Sequence, residues 1–143
     1  MLVPKKVKFR KWQTGRSNPL TKRIRSDTRG TALSFGSYGL KAVGASRVST
    51  NQIESCRKVM SRILKKSGRM WIRIFPDRPV TAKPPEVGMG KGKGDPQGYV
   101  FEVLPGRIIF EIDGVGRAEA VEVLRKAGAK LPLKTKFVSR DEV

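Results

Sequence analysis

The run Met70-Trp-Ile-Arg-Ile-Phe75 is β-branched and aromatic, as a strand requires, and it opens into a stretch rich in proline and glycine. Pro76-Asp-Arg-Pro-Val-Thr-Ala-Lys-Pro-Pro85 is followed by Gly88-Met-Gly-Lys-Gly-Lys-Gly94. A strand pinned at the start of such a segment predicts a long loop over residues 76–98. Globular domains seldom keep a loop of that length without a use for it. Glycine has no Cβ, so the tip can approach a crowded surface, and Lys91 and Lys93 bring two cations there with Met89 beside them.

The charge of the chain names the kind of surface. There are 31 Lys and Arg against 12 Asp and Glu, no His, and a net charge of +19 in 143 residues. Residues 1–48 carry twelve basic and one acidic side chain, and residues 49–75 carry seven and one. The remainder is close to balanced, so the pattern predicts one binding side and one ordinary packing side. A nucleic acid is the partner that such a balance suits, since alone it would only repel itself.

Residues 1–30 read as an irregular basic arm ahead of a single α+β domain at 31–143. Lys5, Lys6, Lys8, Arg10, Lys11 and Arg16 interleave with Phe9 and Trp12, and Lys22, Arg23 and Arg25 follow. Aromatic rings beside cations can stack on exposed bases while the cations hold phosphates, so these residues are candidate RNA contacts. The first 48 residues have few apolar runs and are expected to depend on a partner for order. Residues 31–48 are punctuated by glycine, with strand-like pieces around Leu33–Phe35 and Leu40–Val43.

The plainest helix runs from about Thr50 to Lys66. Ser49 with Gln52 makes a capping-box pattern, and Gly68 supplies a stop. Ile53, Cys56, Met60, Ile63 and Leu64 form one apolar stripe, which makes Cys56 a core residue rather than a reactive thiol. The single cysteine excludes an internal disulfide and suits a reducing, cytoplasmic compartment. Arg57, Lys58 and Arg62 lie off the stripe and are candidate phosphate contacts, as are Lys41 and Arg73 on the predicted strands.

Gly98–Leu104 and Arg107–Ile112 flank Pro105-Gly106 and predict a β-hairpin. A second helix is expected from about Arg117 to Ala127, packing through Ala118, Ala120, Val121, Leu124 and Ala127, and a last strand at Lys134–Ser139. Two helices packed on a mostly antiparallel sheet, an α+β domain, follow from this order. No apolar run approaches the roughly 20 residues of a membrane span. The N-terminus lacks the apolar middle of a signal peptide.

An enzyme is disfavoured. No His serves acid–base work, no His/Cys cluster could hold zinc, and no cofactor is called for. Lys93 stands where a Walker loop needs glycine after Gly88, and Asp95 where a dinucleotide fingerprint needs one after Gly90. Asp77, Glu86 and Asp95 sit among cations and read as turn residues rather than magnesium ligands.

In seven ordered blocks the chain resembles the large-subunit ribosomal protein sixteen family, counterpart of eukaryotic ribosomal protein ten. They are Pro4–Lys11, Ser34–Gly44, Gln52–Glu54, Trp71–Asp77, Met89–Gly94, Pro105–Glu111 and Lys130–Val138. The resemblance implies a two-layer α/β sandwich with a hammerhead-like β motif, docked on large-subunit rRNA beside the aminoacyl-tRNA (A) site. It further implies contact with the A-site tRNA, the P-site tRNA as an additional neighbour, other ribosomal proteins around it, and late entry into the subunit. Family members commonly have arginine where this chain has Gly88, and the segment Ser17–Asp27 looks longer than the usual arm. The competing reading is a free-standing basic RNA- or DNA-binding module, such as an assembly factor or nucleoid protein.

Overall fold

Ser49 caps the first helix as its spacing to Gln52 predicts. In the computed structural model, which describes residues 2–13 and 25–142, the Gln52 N–H donates to Ser49 Oγ at 3.4 Å. The Ser49 N–H donates back to Gln52 Oε1 at 2.9 Å. The helix, α1, spans Thr50–Leu64. It ends two residues earlier than expected, because Lys65 itself takes the left-handed turn, at φ 51°. Gly68 instead permits a close approach, since a Cβ there would lie 2.9 Å from Leu64 Cδ2 and 3.2 Å from the Asp113 carbonyl oxygen.

The other elements are β1 (Tyr38–Ala42), β2 (Ser46–Ser49), β3 (Arg69–Ile72), β4 (Arg78–Ala82), β5 (Asp95–Val103), β6 (Ile108–Asp113), α2 (Arg117–Gly128) and β7 (Thr135–Ser139). A 3-10 turn, Arg140–Glu142, closes the described chain. The strands form two antiparallel sheets, β3-β6-β1-β7 and β2-β5-β4. The helices pack on each other, and α2 also on β1 and β7. The α+β class expected from the sequence is the observed one, with the antiparallel strands divided between two sheets.

The core lies between the helices and the four-stranded sheet. Ile53, Cys56, Met60 and Leu64 meet Ala120, Val123, Leu124 and Ala127 over Leu40, Ile109, Phe110 and Ile112. Ile63 is half-buried at the margin of the cluster. On α2, Val121 and Ala118 face solvent, contrary to expectation, and Val123 takes the core position. Met60→Asp is therefore expected to cost several kcal/mol, more than Ile63→Asp, because only the first leaves a charge with no route to water. Arg62→Ala should leave folding nearly intact, since Arg62 is exposed. Thermal melts of the three variants check the order; equal losses at positions 60 and 63 would contradict it.

Three sequence expectations give way. The loop 76–98 is mostly a hairpin: β4 and β5 pair from Arg78↔Val100 to Ala82↔Asp95, leaving residues 83–94 as the loop proper. Proline at position 79 is tolerated because β4 is an edge strand. Gly98–Leu104 and Arg107–Ile112 do not pair with each other, since β5 and β6 belong to different sheets. Pro105-Gly106 is instead the corner between sheets, with Gly106 at φ 97° and its N–H donating to the Ala42 carbonyl at 2.8 Å. Residues 33–35 form no strand; their segment crosses the outer face of β6.

Candidate nucleic-acid interface

The hairpin of β4 and β5 carries the glycine–lysine loop away from the body. Gly94 closes its base: a Cβ there would sit 2.6 Å from the Ala82 carbonyl oxygen. At the tip Gly90, Lys91 and Gly92 all have positive φ, at 100°, 60° and 101°. The tip is thus tightly coiled, and its side chains do not alternate as those of an extended strand would. The Lys83 ammonium donates to the Gly90 carbonyl and braces the coil from below. Met89 stands 98% exposed.

The arm crosses the base of this loop. Lys11 Nζ donates to the Lys93 carbonyl at 3.1 Å, and Lys93 Nζ donates in return to the Trp12 carbonyl. Arg78, rooted in β4, lays its guanidinium 5.6 Å from the centre of the Trp12 ring. Nearer its start, the arm is fixed to α1, where Thr50 Oγ1 donates to the Leu2 carbonyl at 3.2 Å. Between these anchors Lys5, Lys6, Lys8 and Arg10 are exposed, with Lys8 5.5 Å from the centre of the Phe9 ring. Phe9 is 62% exposed, so it retains a free aromatic surface. The structure brings the arm and the loop into one basic surface.

Other candidates are placed differently. Lys58 and Arg62 are exposed on α1, while Arg57 is tied to Glu54 by contacts of 2.5 and 3.0 Å. Arg25 is exposed, and Lys41 is half-buried on β1. Arg16, Lys22 and Arg23 lie outside the described residues. Arg73 is committed to the interior: its guanidinium bonds Glu111, reaches the Ala32 carbonyl at 3.2 Å and lies 5.2 Å from the centre of the Phe35 ring. No phosphate is needed to explain its position. Among the described residues no group of His, Cys, Asp and Glu is arranged to hold a metal ion.

Glu111 is the residue that sequence reasoning missed. Its side chain is fully buried, and it accepts N–H bonds from Ser34 at 3.1 Å, Phe35 at 2.7 Å and Gly36 at 2.8 Å, besides Arg73. Burial pushes its carboxyl pKa up, but the three backbone donors and the guanidinium together hold it below the ordinary 4.5. The unfolded chain then binds a proton more readily, so the contribution to stability is complete above the ordinary range and is lost as the pH falls through the folded value. Urea melts taken from about pH 6 down to about pH 3 should show this decline, and Glu111→Gln should flatten it. A lone acid inside the apolar run Ile108-Ile-Phe-Glu-Ile112 was the available signal. Cys56, in contrast, is an inert core group: burial pushes its thiol up to about 12, and Sγ donates to the Ala127 carbonyl at 3.3 Å.

A family model described as ribosomal protein L16p/L10e matches residues 4–138, nearly the whole chain, and the chain belongs to that family. It is a structural, RNA-binding constituent of the large ribosomal subunit, and its family works in translation without being enzymatic.

Proposed function

We propose that this ribosomal protein binds rRNA beside the A site, turns its arm and its 83–94 loop toward RNA, and contacts the A-site tRNA with the loop tip. The observation that carries the reading is the pair of crossed bonds, Lys11 Nζ to the Lys93 carbonyl and Lys93 Nζ to the Trp12 carbonyl, which joins two basic segments about 80 residues apart into one surface. Around it stand exposed cations with no acidic partner among the described residues, Lys5, Lys6, Lys8 and Lys91. A surface assembled from segments so far apart in the chain also suits entry into the subunit after its RNA has folded.

The two lysines of the loop have separate roles in this reading. Lys91, exposed at the coiled tip, is the tRNA contact, whereas Lys93 holds the arm. Lys91→Ala should weaken aminoacyl-tRNA occupancy of the A site by roughly tenfold, the worth of one charge-assisted contact, and leave rRNA docking intact. Lys93→Ala should release the arm and weaken docking first. Filter binding of aminoacyl-tRNA to subunits rebuilt with each variant measures both. Normal occupancy with Lys91→Ala would end the tRNA reading of the loop.

A further inference from the structure

A second surface, away from the arm and loop, is built for something flat. Phe35 and Trp71 stack at 6.1 Å between ring centres with 20° between their planes, and Phe35 is 56% exposed. Packing does not account for a ring left so open. Nor is Phe35 on a slack loop: the backbone N–H groups of residues 34–36 all end on the buried Glu111 carboxylate. Arg73, held by the same carboxylate, lies across the Phe35 ring. The ring is therefore fixed in place before any partner arrives.

Beside the stack is an open groove of about 400 Å³ lined by Phe35, Ser67, Arg69, Trp71, Asp113 and Gly114. Strand register explains its make-up. Arg69 pairs with Asp113 and Trp71 with Glu111, so these four side chains share the outer face of the sheet, while Met70 and Ile112 face the core. Arg69 and Asp113 stand opposite each other yet form no ion pair. Asp113 Oδ1 accepts from Ser37 Oγ at 3.0 Å and from the Gly114 N–H at 2.8 Å, and Oδ2 has no partner among the described residues. The groove thus offers an aromatic wall, an unpaired cation and a fixed, open acceptor.

We propose that this groove takes one unpaired nucleotide of RNA, its base against Phe35 and Trp71, its phosphate on Arg69 and its Watson–Crick edge on Asp113. An unstacked base matches the wall, and a carboxylate only accepts hydrogen bonds. Guanine presents two adjacent donors, N1–H and the N2 amino group, where uracil presents one, so guanine is preferred. The two guanidinium groups at the groove, Arg69 in its lining and Arg73 over the Phe35 ring, favour RNA over a protein segment. This site rests on the chain's RNA binding and not on its position beside the A site.

The test uses the full chain with labelled RNA pentamers, UUGUU and UUUUU, and a hairpin with no unpaired guanine, read by fluorescence anisotropy. UUGUU should bind at least about fivefold tighter than UUUUU. Phe35→Leu should weaken UUGUU by roughly tenfold, the worth of one stacked base, without altering the salt dependence, because no cation is removed. Phe35→Tyr keeps the ring and should bind as the parent does, and Asp113→Asn should erase the preference for guanine. The chain has two tryptophans, so 5-fluorotryptophan labelling gives two fluorine lines, and the one lost in Trp71→Phe should move on adding UUGUU. Equal binding of all three RNAs, or a Phe35→Leu variant that still folds and binds UUGUU at parental strength, overturns the proposal. So does a Trp71 line indifferent to RNA, which would assign the face to a protein neighbour. None of these results bears on A-site occupancy, which the Lys91 experiment reads.

Discussion

Glu111→Ala is expected to cost about 3–5 kcal/mol, the largest loss of any single polar substitution in this chain. The carboxylate is fully buried, and its removal strands the Arg73 guanidinium, 17% exposed, together with the N–H groups of residues 34–36. Unmaking a buried pair from one side costs more than the pair contributes, because an uncompensated charge is left behind. Against a total stability of about 5–15 kcal/mol, much of the fold's margin would go. Urea denaturation measures it. Pairing Glu111→Leu with Arg73→Leu should recover part of the loss, since no charge then remains inside, but not all, since three backbone donors are still without an acceptor. A loss below about 1 kcal/mol for Glu111→Ala would mean that water replaces the carboxylate, against its burial.

Replacing Lys5, Lys6, Lys8, Arg10 and Lys11 together with glutamine should produce the largest change in RNA affinity. All five lie on the segment that Leu2 and Trp12 fix to the body, so their charges are held in one place. If each meets a phosphate, the slope of log affinity against log salt should fall by about four units, and affinity at low salt should fall by orders of magnitude. The fold should persist, because none of the five reaches the core. Binding to large-subunit rRNA fragments across a salt series gives the slope. An unchanged slope would show the arm to be a bystander.

Local signals in the sequence served well where the local rule decides. The Ser49–Gln52 cap, the α1 stripe and the last strand depend on residues within a turn or two of each other, and they stand where the pattern puts them, to within two residues at the end of α1. Pro105-Gly106 was legible as a turn but not as a corner. A tight turn looks the same whether its strands pair or diverge, and here the Ala42 and residue 27–30 backbones bind it instead. Strands β2 and β4 were hidden by serine, arginine and proline, which edge positions tolerate and propensity does not favour. Basic residues were readable as candidates and not as a surface. Only the fold separates Arg73, half-buried and paired with Glu111, from Lys91, exposed at the tip, because their sequence surroundings are equally cationic.

Strand β1 lies between β6 and β7, whose residues come 66 or more positions later. During synthesis, residues 38–42 therefore wait without a neighbour on either edge until 108–139 have left the exit tunnel. Before residue 108 is made the chain has already displayed twenty-four of its 31 basic side chains to a machine made largely of RNA, without a closed sheet to hold them. The order of translation makes the nascent polycation a ligand before it is a folded protein. The four-stranded sheet is complete only once the last strand, β7, has been made and has paired with β1.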